Sequence, residues 1–386
     1  MKEQLHTITQ DLKQEFKNLS DYIYENPELG FEEYKSSKAH VDLLEKHDFV
    51  VEYPYLGFDT AFRATYDSGK PGPTIAYLSE YDALPGIGHG CGHNMLGTVD
   101  TGAGIVLSKL INEIGGRVVV LGTPAEETSG VKVDMADANT FDDIDIAMCT
   151  HPSDGNYVSG TSMAMDALEF EFYGETAHAA AAPWMGVNAL DAVINMFNMV
   201  NAQRQQFKDD WRVHGIIADG GVAANVIPEY TRAQFYVRAM KLDDVKILRE
   251  LVITAAESAA KTSGCRMAYN FFEKSYHNMI TNNRLSELYN ANAKAVGIEM
   301  TPNDENGGSI DMGNVSQVVP AIHPYYDITE GIKTAGHTVK FREATRTSFA
   351  YDAMCRTIEI LAKTGYDIVT DPKLLSEIQD EFNQNK

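Results

Sequence analysis

The segment SEYDALPGIGHGCGHNMLG places a thiol and an imidazole two positions apart, Cys91 and His93, among glycines at 86, 88, 90 and 92. Such glycines permit tight turns, so both donors can reach one site. A glycine-rich loop with an incidental cysteine accounts for the same residues without chemistry, and the glycine spacing departs from a G-x-G-x-x-G dinucleotide loop. Further on, Glu126 and Glu127 follow an apolar run. One carboxylate of such a pair can bind a metal ion while its neighbour moves protons, although a surface acidic pair looks identical. His151 stands before Pro152 at the end of another apolar run, and Cys149, two residues earlier in IDIAMCT, reads as core. Each signal is weak alone. Their conjunction is stronger, because thiolate, imidazole and carboxylate are the ligands that divalent transition metals prefer.

Competing chemistries find less support. The chain has no H-E-x-x-H helix, no G-x-S-x-G elbow and no G-x-x-x-x-G-K-[ST] phosphate loop. A Cys91-dependent thiol hydrolase is an alternative, weakened because Cys91 and His93 are separated by one position and so are poorly placed to hydrogen-bond to each other.

The elements that must position these residues follow from hydrophobic periodicity. Leu5, Ile8, Leu12, Phe16, Leu19 and Ile23 recur at helical steps and predict an amphipathic helix ending near Asn26 and Pro27. Apolar β-rich runs at 74–78, 117–121 and 144–149 alternate with helical stretches at 96–114 and 131–138, which predicts an α/β fold with a mostly parallel sheet. In such sheets ligands gather at the carboxyl ends of the strands, where Asp82, the GHGCGHN segment, Glu126, Glu127 and His151 all fall. From about residue 166 the pattern becomes strand, long helix, two strands, helix, strand: an α+β unit of domain size. The expected organisation is therefore a catalytic metal-binding domain of residues 1–165 and 275–386, with an inserted lid and dimerisation domain of residues 166–274.

Composition narrows the partners. With 386 residues the chain exceeds one ordinary core, and 44% apolar residues describe a globular protein. The excess of 55 acidic over 32 basic residues argues against nucleic acid, which calls for a basic footprint. The charged start MKEQLHTITQDLKQEF and the lack of any long apolar run predict no membrane association, and four unpaired-looking cysteines fit a reducing compartment, so a cytoplasmic location is expected.

The motifs SEYDALPGIGHGCGHN, TPAEET, THP, ETAHAA, AANVIPEY, YVRAM, SIDMGNVSQVVPAIHPYY and AGHT occur in the order found in the dinuclear metal-dependent aminoacylase and carboxypeptidase family. Over nearly its whole length the chain most resembles the thiolate-containing amidohydrolase branch, which includes aminobenzoyl-glutamate hydrolase and related dipeptidases. The resemblance implies two divalent ions per subunit, Zn2+ or Mn2+, held by Cys91, His93, Glu127, His151 and His337. It also implies a hydroxide bridging the ions, Glu126 as general base, and Asp82 orienting an imidazole. In the inserted domain it makes His178 a stabiliser of the oxyanion and Asn225 and Arg238 substrate contacts. A homodimer or homotetramer formed through that domain is expected. The implied substrate is a small N-acyl or N-aroyl amino acid or a dipeptide. A catalytically silent metabolite- or peptide-binding oligomer of the same fold is the alternative from another class. His323 of AIHPYY competes with His337 for the last ligand position, and the closer AGHT match favours His337. Asn94 and Ile310 depart from the residues common in the branch.

Overall fold

A computed structural model describes residues 1–303 and 308–385. It divides into two units: the described residues of 1–161, 279–306 and 311–386, and those of 162–278 with 307–310. In the first unit the chain runs through α1 (Gln4–Glu25), α2 (Tyr34–Lys46), β1 (Val50–Glu52), β2 (Phe62–Asp67), β3 (Thr74–Ser79), α3 (His93–Ile114), β4 (Arg117–Gly122), α4 (Val131–Asp137), β5 (Ile146–Met148) and β6 (His151–Ser153). The second unit contains β7 (Ala164–Tyr173), α5 (Ala189–Gln203), β8 (Arg212–Asp219), β9 (Tyr230–Ala239), α6 (Leu242–Ser263) and β10 (Arg266–Phe271). The chain then returns to the first unit with α7 (Asn283–Ala295), α8 (Met312–Val315), β11 (Ala321–Ile322), β12 (Tyr325–Asp327), α9 (Val339–Ala344), α10 (Ser348–Thr370) and α11 (Pro372–Asn385).

The main sheet has the order β1-β2-β4-β3-β5-β11. It is parallel from β4 through β3 and β5 to β11, and β2 and β1 extend it antiparallel at one edge. Every residue of β3 is buried, as expected of a central strand covered on both faces. Helix α3 is buried almost all round, packed against α1, α10 and the sheet, so its small and apolar residues are spread round the helix rather than along one face. By contrast α1 buries only one stripe, Leu5, Phe16, Leu19 and Ile23, and leaves its charged face in water.

Two local features shape the strand ends, and the first differs from the sequence expectation. Helix α3 begins at His93 rather than near Leu96, because Gly92 at φ 82 turns the chain directly into the helix. His151 lies in a short strand, β6, paired in parallel with β12. The second unit is a four-stranded antiparallel sheet of order β10-β7-β9-β8. Its core joins Leu168, Phe170 and Phe172 of β7 to Val193 and Met196 of α5 and Leu248 and Val252 of α6.

Candidate metal centre

The carboxyl end of β3 runs into Glu80 and Asp82, and the loop that follows returns through Cys91 to His93 in the first turn of α3. Gly92 is confined as well as turned: a Cβ there would lie 2.6 Å from Pro152 Cγ, so the Cys91 loop and the His151 strand touch through it. His93 is fully buried, and its Nδ1 meets Asp82 Oδ1 at 2.9 Å. The other Asp82 oxygen accepts from the Glu127 backbone N–H at 3.0 Å. One carboxylate thus sets the ring of His93 and the backbone of Glu127 together. His93 Nε2 makes no hydrogen bond among the described residues and points toward Glu80 Oε2 at 3.3 Å.

The carboxyl end of β4 supplies Glu126 and Glu127 through a tight turn in which Ala125 takes φ 64, a conformation rare outside glycine. The two neighbours are driven in opposite directions. Burial, reinforced by the charges of Glu80, Asp311 and Glu127, raises the Glu126 carboxyl well above the usual range. Burial also opposes ionisation of Glu127, but the hydrogen bond from His337 and the nearby His93 outweigh it and lower its pKa. Adjacent carboxylates split in this way are suited to different tasks.

His151 Nδ1 lies 2.7 Å from the carbonyl oxygen of Pro152, which leaves Nε2 as the ring nitrogen available to ligate. His337 comes from the distant segment after β12; its backbone N–H donates to the Gly90 carbonyl at 2.9 Å, and its own φ is 60. That tie brings His337 Nε2 to 3.3 Å from Cys91 Sγ and 3.3 Å from Glu127 Oε1.

The donor atoms therefore assemble into groups lying within 4.8 Å of one another: Cys91, His93 and His151 in one, Cys91, Glu127 and His337 in the next, and Glu80, His93 and Glu126 in a third. Thiolate, imidazole and carboxylate in these numbers suit zinc, and the carboxylates also suit manganese. An imidazole whose second nitrogen is held by a carboxylate or a carbonyl, as in His93 and His151, is the usual arrangement behind a metal ligand.

His323 is buried and groups with Glu80 and Cys149, its ring centre 5.8 Å from that of His151, and burial lowers its pKa to about 3. Cys149 is buried, as its apolar run suggests, with Sγ 3.7 Å from Glu80 Oε1. Asn94 is also buried and donates to Ser20 Oγ on α1 at 3.1 Å, so it serves packing between helices. Sequence reasoning missed a buried ionic chain beside the centre: Lys132 Nζ lies 2.8 Å from Glu80 Oε1 and 2.7 Å from Asp311 Oδ1. A lysine in an apolar helical stretch and an aspartate almost 180 positions later gave no local sign of it.

In the second unit, His178 and Asn225 are exposed and are brought together by a bridge between His178 and Val226, with the Ala179 N–H donating to the Asn225 carbonyl at 3.1 Å. The backbone N–H groups of Ala180 and Ala181 both donate to His178 Nδ1, at 3.3 and 3.2 Å. Arg238, on β9, donates to Ser309 Oγ at 3.2 Å and lies over the ring of Tyr236. Ile310 belongs to the same unit.

Residues 164–263 match the peptidase dimerisation domain. The chain is 37% identical over 380 residues to the Xaa-Arg dipeptidase of Mus musculus, covering 94% of this chain and 88% of the relative. It is 29% identical over 453 residues to a p-aminobenzoyl-glutamate hydrolase chain of Escherichia coli, covering 96% and 92% of the two chains. Among solved structures, an aminobenzoyl-glutamate utilization protein from Klebsiella pneumoniae superposes with a TM-score of 0.73 at 19% identity, covering 94% of this chain and 97% of that one. A dinuclear metal binding peptidase of the M20 family from Bacillus subtilis gives 0.70 at 18% identity, covering 92% and 98%. The parallel-sheet unit, the dimerisation domain and the 37% identity across the length of a dipeptidase lead to one conclusion: the chain belongs to the metal-dependent aminoacylase and dipeptidase family, the M20 peptidases, and is a hydrolase of C–N bonds.

Proposed function

We propose that the chain hydrolyses short dipeptides whose carboxyl-side residue is basic, at a dinuclear centre held by Cys91, His93, Glu127, His151 and His337. The observation that carries this reading is that Cys91 belongs to two three-donor groups at once, with His93 and His151 on one side and Glu127 and His337 on the other. A shared thiolate between two such groups suits a pair of ions. When bound, divalent ions polarise a carbonyl oxygen and lower the pKa of water toward about 7.

The chain's own groups supply the rest. Glu126, half-buried and acting in its ionised form, takes a proton from the water whose oxygen attacks the scissile carbonyl carbon. It returns that proton to the nitrogen as the C–N bond breaks, so a carboxylic acid and an amine leave and Glu126 ends as it began. Asp82 holds His93 in its ligating orientation. His178 stabilises charge developing on the carbonyl oxygen, and Asn225 and Arg238 hold the substrate, Arg238 gripping its terminal carboxylate by paired hydrogen bonds.

Two lines favour a basic dipeptide. The relative at 37% identity is a dipeptidase named for Xaa-Arg, and the chain carries a net charge of −23, which attracts cations. The chain is further proposed to act as a homodimer or homotetramer through the dimerisation domain. In support, β8 is an edge strand of its sheet with Ile216 61% exposed, an apolar edge of the kind that pairing covers. All four cysteines are free thiols, which supports a reducing, cytoplasmic setting.

The test is a substrate panel with protein reconstituted separately with zinc and with manganese, accompanied by elemental analysis. Two ions per chain and turnover of Xaa-Arg and Xaa-Lys above Xaa-Glu and p-aminobenzoyl-glutamate are expected. Preference for p-aminobenzoyl-glutamate would overturn the substrate assignment, and failure to retain metal would support a silent binding protein instead.

A further inference from the structure

The turn that presents Glu126 and Glu127 is held by a residue far from it in sequence. Glu33, at the head of α2, is fully buried. Its Oε1 accepts from the Ala125 backbone N–H at 2.8 Å, and its Oε2 accepts from the Thr60 hydroxyl at 2.9 Å. Thr60 is itself tied down, since its carbonyl accepts from the buried Tyr81 hydroxyl at 2.5 Å.

Ala125 is the residue that adopts φ 64. Its carbonyl accepts from the N–H groups of Ser129 and Gly130 at 3.0 and 2.8 Å, so the turn is closed on one side by its own chain. On the other side it is gripped twice: by Glu33 at the N–H of Ala125, and by Asp82 at the N–H of Glu127. Glu126 stands between those two fastenings. The fit around the first is close, for a Cβ on Gly30 would lie 2.9 Å from Ala125 Cβ and 2.6 Å from Thr128 Oγ1. A carboxyl group enclosed in this way is costly unless its oxygens are satisfied, and here both are.

We propose that Glu33 is a positioning residue for hydrolysis: it holds Ala125 in the left-handed conformation and so aims Glu126 at the reacting water. The inference rests on Glu126 being the general base. Glu33 is none of the five proposed ligands, and its effect is expected on the chemical step and not on substrate capture.

The experiment compares Glu33→Ala and Glu33→Gln in the full chain. Amide exchange of the segment around Ala125 is followed in the metal-free protein, and kcat, KM and metal content in the reconstituted enzyme. Glutamine keeps an oxygen that can accept from Ala125 N–H, so Glu33→Gln should retain amide protection and turn over within about threefold of the unaltered enzyme. Glu33→Ala should lose protection at Ala125 and fall roughly 10- to 100-fold in kcat, with KM within about twofold, because misplacing a catalytic group by about an ångström costs that much. If Glu33→Ala does not fold, Glu33→Asp withdraws the acceptor by one methylene and is expected to show the same loss. Adding Ala125→Gly to the impaired variant should restore part of the lost kcat, since glycine adopts φ 64 without the steric cost that alanine bears there. A folded Glu33→Ala, or Glu33→Asp, with full kcat overturns the proposal, as does a Glu33→Gln as impaired as Glu33→Ala. Glu126→Gln is run alongside: if that variant stays active, the general-base reading fails, whereas an inactive Glu126→Gln beside a fully active Glu33→Ala overturns the brace alone.

Discussion

Glu126 and Glu127 are bonded neighbours with opposite tendencies, one pushed toward the neutral form by burial and the surrounding carboxylates, the other held ionised by His337 and His93. The difference comes from the separate surroundings that one turn gives its two side chains, and it separates the two roles experimentally. Glu126→Gln is expected to reduce turnover by roughly 10²- to 10⁴-fold, the usual contribution of a positioned acid or base, with metal content unchanged. Glu127→Gln is expected to lose metal, because an amide is a poorer ligand than a carboxylate and His337 loses its charged partner. Elemental analysis of both variants decides the matter. Equal metal loss in the two would mean that base and ligand have been assigned the wrong way round.

At the scale of elements, the centre is held by contacts between pieces that are each simple. The short helix α4 contributes Lys132, which is wholly buried between Glu80 at the end of β3 and Asp311 at the head of α8. Lys132 keeps its charge there because the attraction of Asp311 and Glu80 exceeds the burial penalty that would lower its pKa. Glu80 is likewise held down, to about 2, against burial by the Lys132 ammonium. Removing the cation leaves two carboxylates enclosed without a counter-charge, so Lys132→Met should destabilise the protein by about 3 to 5 kcal/mol, the usual cost of breaking a buried pair from one side. Urea unfolding of the metal-free chain measures this, and a loss below about 1 kcal/mol would show that the triad carries little strain when opened.

The whole molecule adds a second copy to the argument. His178 and Asn225 lie on exposed loops of the unit that matches the dimerisation domain, and the metal-type donor groups found among the described residues lie in the other unit. If His178 serves the centre of a neighbouring subunit, two crippled proteins can complement each other. Mixing inactive His178→Ala and inactive Glu126→Gln chains, after dissociation and reassociation, should restore activity in proportion to the hybrid fraction, since some hybrids carry one site with both groups intact. Confirmed hybrids without any recovery would rule out action across the interface.

The types of donor and their order were legible in the chain: Cys91, His93, Glu126, Glu127 and His151 each follow an apolar β-rich run, and strand ends in a parallel sheet converge. The alternation of strand and helix was legible for the same reason, because a strand covered on both faces must be apolar throughout, as β3 is. Between His323 and His337, only the closer AGHT match favoured His337 in the sequence. The contact that separates them, His337 Nε2 to Cys91 Sγ, spans 246 positions and exists only when the Gly90 carbonyl receives the His337 N–H. Local sequence could not assign Glu33, Lys132 or Asp311, whose residue types are ordinary on a surface and become informative only once buried. Burial is a property of the packed chain: it turns Glu33 from one of many acidic residues into the acceptor for Ala125, and it sets Glu126 and Glu127 apart in the same turn.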